Sequence, residues 1–379
     1  MRRRIPLLLM ALALLWPASP ARASPRIATD GDPTHPVWYH DTTAVRIGGS
    51  LDLAWNDDHA GVDVRSWSVA SHTWTAPETR LSSTWLDCGC TDSTHTNPHR
   101  HDVPALFADP AGRAYAVYGG GTASRLAPDT GPFFRAATSP GEITSWGPEQ
   151  RLSVPGSAYD FEAVTDNLGV THLVGQQGGN PAGAGSLVYL AFAPGTATVP
   201  GSFVGSYRTL IAGVRQPACT WLSNPTCDVY VIARLTVGPP NPAAPAQPAA
   251  LYLVWGWSEK NLSGSCGDPL GCNRGLYFAR SLDGGKTWSN ATGTVSLSTL
   301  QFNQPGFAVV GGSHDVGLFK ALAVTGAYPG TPWIAYQPGA DLGSGTVPLR
   351  FPNVDEASSA WPGGAAAEPA RLSLSAGRS

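Results

Sequence analysis

Lysine is almost missing from this chain: Lys260, Lys286 and Lys320 are the only three in 379 residues. Charged residues of both signs make up 13% of the sequence, with a formal net charge of −3, where typical domains carry about 25%. So few cations cannot be gathered into a basic stripe, which argues against nucleic acid as a partner. Long apolar runs are also lacking. Past residue 23 no stretch approaches ~18 uninterrupted apolar residues, so no membrane span is expected. No amphipathic helical pattern persists over a helix-length window, which disfavours the helical fold classes.

What is present is punctuation. The 44 glycines and 34 prolines are spread along the chain rather than gathered in one linker. Short apolar runs alternate with turn signals, the all-β pattern. The N-terminus reads differently. Arg2-Arg3-Arg4, an apolar run from Leu7 to Trp16 and Ala21-Arg22-Ala23 make up a cleavable export signal over residues 1–23. Four arginines leave with it (Arg2, Arg3, Arg4 and Arg22), taking the formal charge from −3 to −7. The expectation is a secreted or periplasmic protein in which residues 24–379 form a single domain, with no membrane span, as a monomer.

Internal repeats carry the fold reading. Five segments begin alike: His40-Asp41-Thr42-Thr43-Ala44-Val45, His101-Asp102-Val103-Pro104-Ala105-Leu106, Tyr159-Asp160-Phe161-Glu162-Ala163-Val164, Cys227-Asp228-Val229-Tyr230-Val231-Ile232 and His314-Asp315-Val316-Gly317-Leu318-Phe319. Each sets an Asp before a strand-like run, with the aspartates 61, 58, 68 and 87 residues apart. Unit ends recur as well. Trp74 precedes Arg80-Leu81-Ser82, Trp146 precedes Arg151-Leu152-Ser153, and Trp361 precedes Arg371-Leu372-Ser373. Trp288 leads to a weaker match, and Tyr207-Arg208-Thr209-Leu210 takes the Trp's place in the third unit. The second unit accommodates four strands: Val103–Ala108, Ala114–Tyr118, Phe133–Ala137 and Glu149–Ser153, with a turn at Asp109-Pro110-Ala111-Gly112. Four-stranded units repeated about an axis make a β-propeller. Five blades are counted, with six or seven left open if strands pair differently. Gly238–Ala250 and Asn261–Asn273 read as inserted loops of the fourth unit.

One stretch adds a family resemblance. Ser281-Leu282-Asp283-Gly284-Gly285-Lys286-Thr287-Trp288 reads S-x-D-G-G-x-T-W. It is a strand end, a glycine turn and a returning Trp. It resembles the Asp-box (BNR) signature of the sialidase-like β-propeller superfamily. The resemblance implies a propeller whose first strands line a central channel, with ligands taken at the end where those strands begin. Asp41, Asp102, Asp160, Asp228 and Asp315 would then ring that mouth, beside His40, His101, His314, Tyr159 and Glu162. An Asp before a strand also has a plain structural use as a loop cap.

Two templates come with the resemblance. Sialidases use three arginines, a Tyr–Glu nucleophile pair and an Asp acid/base, but Arg26-Ile27 and Arg46-Ile47 lack the Pro of the motif that opens them. BNR-type polysaccharide lyases place a His in the channel within a run similar to His101-Asp102-Val103-Pro104. Their second His falls where this chain has Gly119-Gly120-Gly121. The catalytic candidates are His101, His314, Tyr159, Asp102, Asp160, Glu162 and Asp315. The substrate-binding candidates are Arg100, His40, Asp41, Trp255 and Trp257. The two tryptophans are two residues apart on a strand and so share a face. That face is either a sugar-stacking platform or inter-blade packing.

Six cysteines in an exported chain point to disulfides. Cys219 with Cys227, and Cys266 with Cys272, each enclose a short loop and are expected to be bridged. Cys88-Gly89-Cys90 with His95 and His99 is open to two readings: a structural zinc set of two thiolates and two imidazoles, or a strained bridge or free thiols. No other cofactor is expected. The function reading is a carbohydrate-active propeller that cleaves a glycan or polysaccharide, as glycoside hydrolase or polysaccharide lyase. The alternative is a non-catalytic propeller that binds a glycan or protein ligand.

Overall fold

The computed structural model describes residues 43–56, 62–75, 77–81, 104–118, 132–152, 157–178, 185–193, 207–213, 215–216, 227–260, 272–310 and 316–338. Their regular structure is all strand, arranged in five sheets that follow one another along the chain. Among these residues no helix is long and apolar enough to cross a membrane.

The first sheet runs β1 (Thr43–Ile47), β2 (Ser50–Asn56), β3 (Val62–Ser68) and β4 (Thr73–Trp74), with β5 (Thr79–Arg80) also on β3. The second is β6 (Ala105–Ala108), β7 (Ala114–Tyr118), β8 (Phe133–Ala136) and β9 (Gln150–Arg151). The third is β10 (Ser157–Thr165), β11 (Thr171–Gly178), β12 (Leu187–Phe192) and β13 (Arg208–Ala212). The fourth is built on β15 (Cys227–Val237), β16 (Leu251–Lys260), β17 (Cys272–Ser281) and β18 (Trp288–Ser289). It adds β14 (Arg215–Gln216), β19 (Ser296–Leu297) and β21 (Ala308–Val310) at its edges. Its β20 (Leu300–Gln301) leaves to pair in parallel with β13 of the third sheet. The fifth sheet holds β22 (Val316–Thr325) and β23 (Thr331–Pro338). The described residues therefore carry four sheets of four or more strands and one of two.

The sheets are stacked in chain order around their first strands. β1 touches β6, β6 touches β10, β10 touches β15, and β15 touches β22. Alternation along each strand supplies a core on both faces. Ala114, Ala116 and Tyr118 of β7 pack toward the first sheet with Val62, Val64 and Leu81, while Tyr115 and Val117 pack toward the third with Phe161 and Leu173. Leu253 and Trp255 of β16 pack toward the third sheet, whereas Tyr252 and Val254 pack toward the fifth. Stacked four-stranded sheets sharing both faces around a line of first strands are a β-propeller arrangement.

The recurring sequence ends now have a cause. They are the outer strands. Trp74 pairs with Trp67, Arg80 pairs with Asp63, and Trp146 bridges to Ala137. Leu81, Leu152 and Leu210 are the plugs that follow, all but fully buried, each worth about 1.5–3 kcal/mol. The second unit matches its expected strands within two residues at each end of the described segments.

The Ser281–Trp288 stretch is a hairpin, with Arg280 of β17 opposite Ser289 of β18. The Ser281 hydroxyl donates to Asp283 Oδ1 at 2.8 Å and accepts the Gly285 amide at 2.8 Å. The Asp283 carboxylate accepts the Thr287 amide at 2.9 Å and its hydroxyl at 2.7 Å. Gly284 and Gly285 sit at φ +70° and +83°, where a side chain would be strained. Trp288 is fully buried. The Pro-rich loop from Gly238 to Ala250 joins β15 to β16, and Asn167 clamps it. Its Nδ2 donates to the Pro245 and Gln247 carbonyls at 3.1 and 3.0 Å, and its Oδ1 accepts the Ala249 amide at 2.6 Å.

Candidate functional site

All five first strands enter the stack in the same sense, so their N-terminal ends share one rim. Of the candidates assigned to that rim, the structure describes β10 and β15. Tyr159, Asp160 and Glu162 lie on β10, and Asp228 lies beside them on β15. His40, Asp41, Arg100, His101, Asp102, His314 and Asp315 lie outside the described residues. So do Cys88, Cys90, His95, His99, Cys219 and Cys266, while Cys227 and Cys272 are the first residues of β15 and β17. Among the described residues no group of three or more His, Cys, Asp or Glu is placed to hold a metal ion.

The repeats make the five strand starts look equivalent, but β10 and β15 differ. Along β15 the ladder is regular from Asp228, opposite Lys260, to Val237, opposite Leu251. Along β10 it slips. Tyr159 faces Gln176 and Glu162 faces Val174, so Asp160 and Phe161 both stand opposite Gly175. This is a β-bulge, which bends a strand and re-aims its side chains. A glycine opposite the bulge leaves room for it. Packing shows the break in alternation. Ala158 and Phe161, three apart, both face the second sheet, and Val164 faces the fourth. β22 also slips, between Val316 and Phe319 and again before Ala321.

Glu162 is not a bare carboxylate. Its Oε1 takes the Arg234 guanidinium of β15, and the two side chains are 18% and 13% exposed. This charge-assisted bond ties two adjacent first strands together. Arg234 was not among the sequence candidates. Its signal was a single cation inside the apolar run Val231-Ile232-Ala233-Arg234-Leu235.

Trp255 and Trp257 take the packing role rather than that of a platform. They are 0% and 6% exposed. The Trp255 indole donates to the Phe302 carbonyl at 2.9 Å and stacks on Tyr277 at 5.4 Å. Trp257 meets the Phe302 ring edge-on at 5.0 Å. The cause is that β16 is covered on both faces, so the shared face of the two rings is an inter-sheet face.

No family model matches the chain, and no curated protein matches it. Among solved structures it is similar to an ulvan lyase described as a new polysaccharide lyase family, PL25. The TM-score is 0.60 and the identity 16%, over 85% of this chain and 70% of that one. The same lyase bound to -[GlcA(1-4)Rha3S]- gives 0.59, 16%, 85% and 70%. A GH43 endo-arabinanase from Bacillus licheniformis gives 0.42 and 14%, over 86% and 95%. At the lyase's level of identity the likeness is one of fold, and it agrees with the propeller arrangement built from the strands.

Proposed function

We propose that this chain is an exported glycan-cleaving propeller of the polysaccharide lyase type, working at the rim where the first strands begin. The observation that carries the reading is the bulge at Asp160–Phe161, which singles out β10 beside Tyr159 while β15 stays regular. Bulges concentrate next to active sites because they aim side chains out of the ladder. The fold shared with a lyase supports the same reading. The Arg234 pairing removes Glu162 from the pool of carboxylates that hydrolysis would draw on, which leaves elimination as the better-supported chemistry. In that chemistry a base takes the proton alpha to a uronate carboxyl, and the C–O bond beta to that carboxyl breaks. A double bond forms between the two carbons and an acid protonates the departing oxygen. His101, His314 and Tyr159 fill the acid and base roles, and Arg100 neutralises the carboxylate. The proposal includes removal of residues 1–23, one propeller domain over 24–379 with a fifth blade containing β22 and β23, and Cys219–Cys227 and Cys266–Cys272 bridges.

The test is a panel of neutral and uronate-containing polysaccharides, scored separately for unsaturated uronate ends and for reducing ends. Unsaturated ends on an acidic polysaccharide are the expected result. Reducing ends without unsaturation would replace elimination by hydrolysis. Binding without any product would make the chain a non-catalytic glycan-binding propeller.

A further inference from the structure

The rim opposite Tyr159 holds a buried polar chain that the glycan reading does not use. Asp166 ends β10, His172 lies on β11 and Tyr189 on β12, and they are 3%, 1% and 2% exposed. His172 Nε2 is 3.2 Å from Asp166 Oδ2, and its Nδ1 is 2.7 Å from the Tyr189 hydroxyl. That hydroxyl donates to the Gly284 carbonyl of the fourth sheet's Ser281–Trp288 hairpin at 3.0 Å. Gly285 is the residue that allows the approach, because a Cβ there would overlap the Tyr189 hydroxyl.

Proton counting decides the state of the ring. A phenol has one hydrogen, and Gly284 O can only accept it. Tyr189 must then accept from His172, so Nδ1 carries a hydrogen. On the other side, burial pushes the Asp166 carboxyl up. Hydrogen bonds from His172 and from the Val170 and Leu168 amides outweigh that and hold it below the ordinary value. An ionised carboxylate only accepts, so Nε2 carries a hydrogen as well.

We propose that the three residues form a pH-sensitive latch. A His172 ring protonated on both nitrogens holds the fourth sheet's hairpin against the third sheet, and loss of the Nδ1 proton releases it. With Nδ1 bare, the single Tyr189 hydrogen has two claimants, and Gly284 loses its donor when the phenol turns inward. The groups facing the ring act in both directions. Asp166 from the β10–β11 turn and Asp283 from the hairpin favour the charged form. Arg208 of β13 opposes it, lying 5.3 Å from the Tyr189 ring and donating to the Gly285 and Lys286 carbonyls. Lys286 is exposed at the hairpin tip. With the latch open, Arg208 alone holds the hairpin among these contacts. The inference stands independently of the proposed glycan chemistry.

The test uses the whole mature chain. Long-range proton–nitrogen NMR reads both His172 ring nitrogens across pH, and hydrogen exchange reads the Gly285 amide, which is buried on Ser281 Oγ. The expected result is that both nitrogens are protonated wherever the amide is protected. Protection should then fall about tenfold as the ring loses a proton, after correction for base catalysis. Tyr189→Phe keeps the Asp166–His172 pair but should exchange fast at every pH. A ring with one bare nitrogen while the amide stays protected would overturn the proposal. So would a Tyr189→Phe chain with native protection.

Discussion

Two turns of this propeller are nearly superposable in their bonding, yet only one of them reaches the next blade. In the second sheet, Asp109 accepts the Gly112 amide on its carbonyl at 2.9 Å and the Arg113 amide on its carboxylate at 2.9 Å. In the third, Asp166 accepts Gly169 at 3.0 Å and Val170 at 2.9 Å in the same manner. The second carboxylate oxygen then meets the residue six further on, which is Tyr115 at 3.0 Å in one and His172 at 3.2 Å in the other. Tyr115 ends the chain, packed between Phe107 and Phe134. His172 has a second ring nitrogen and passes the contact to Tyr189 and the next blade's hairpin. A turn closes a blade, and one bifunctional side chain converts it into a link between blades.

The comparison breaks most sharply at two glycines. Gly285→Ala combines a positive φ with overlap against Tyr189 and should cost about 3 kcal/mol or more in chemical denaturation. Gly112→Ala, at φ +80° with only Ile47 Cγ2 at 3.4 Å, should cost about 1 kcal/mol. Next come the carboxylates. Asp166→Asn unpairs a buried His and should cost about 2–4 kcal/mol, whereas Asp109→Asn at its half-buried turn should cost about 1 kcal/mol. The Asp166 contribution has a definite pH sense. Its folded-state value is lowered, so the stabilisation is complete above the ordinary carboxylate value and is lost as pH falls through the folded one. The gap between wild type and Asp166→Asn in acid titrations should therefore narrow below about pH 4. The smallest contrast is between the phenols. Tyr189→Phe strands two partners and should cost about 1–2 kcal/mol by thermal melting, against about 1 kcal/mol for Tyr115→Phe, which strands one.

Much of this architecture is legible in the chain. The five Asp-led runs mark first strands because a propeller reuses one local pattern, and the Trp and Leu of the unit ends mark outer strands because those residues plug each interface. The Asp109-Pro110-Ala111-Gly112 turn is local and therefore readable. What sequence reading missed is non-local. Aligned without gaps, the repeats make Asp160 and Asp228 equivalent, since a bulge depends on the register against Gly175 of the neighbouring strand. Arg234 lies 72 residues from Glu162, and Gly284 lies 95 from Tyr189. The role of Trp255 and Trp257 depended on whether β16 is covered on one face or both.

The central claim is that the bulged strand, rather than the regular one, carries the chemistry. Turnover of an acidic polysaccharide by Tyr159→Phe and by Tyr230→Phe, read as kcat/KM for unsaturated ends, tests it most directly. Tyr159→Phe on β10 should lose about 100-fold or more, while Tyr230→Phe on β15 should stay within about threefold of wild type. Equal losses, or a larger loss at Tyr230, would contradict the account.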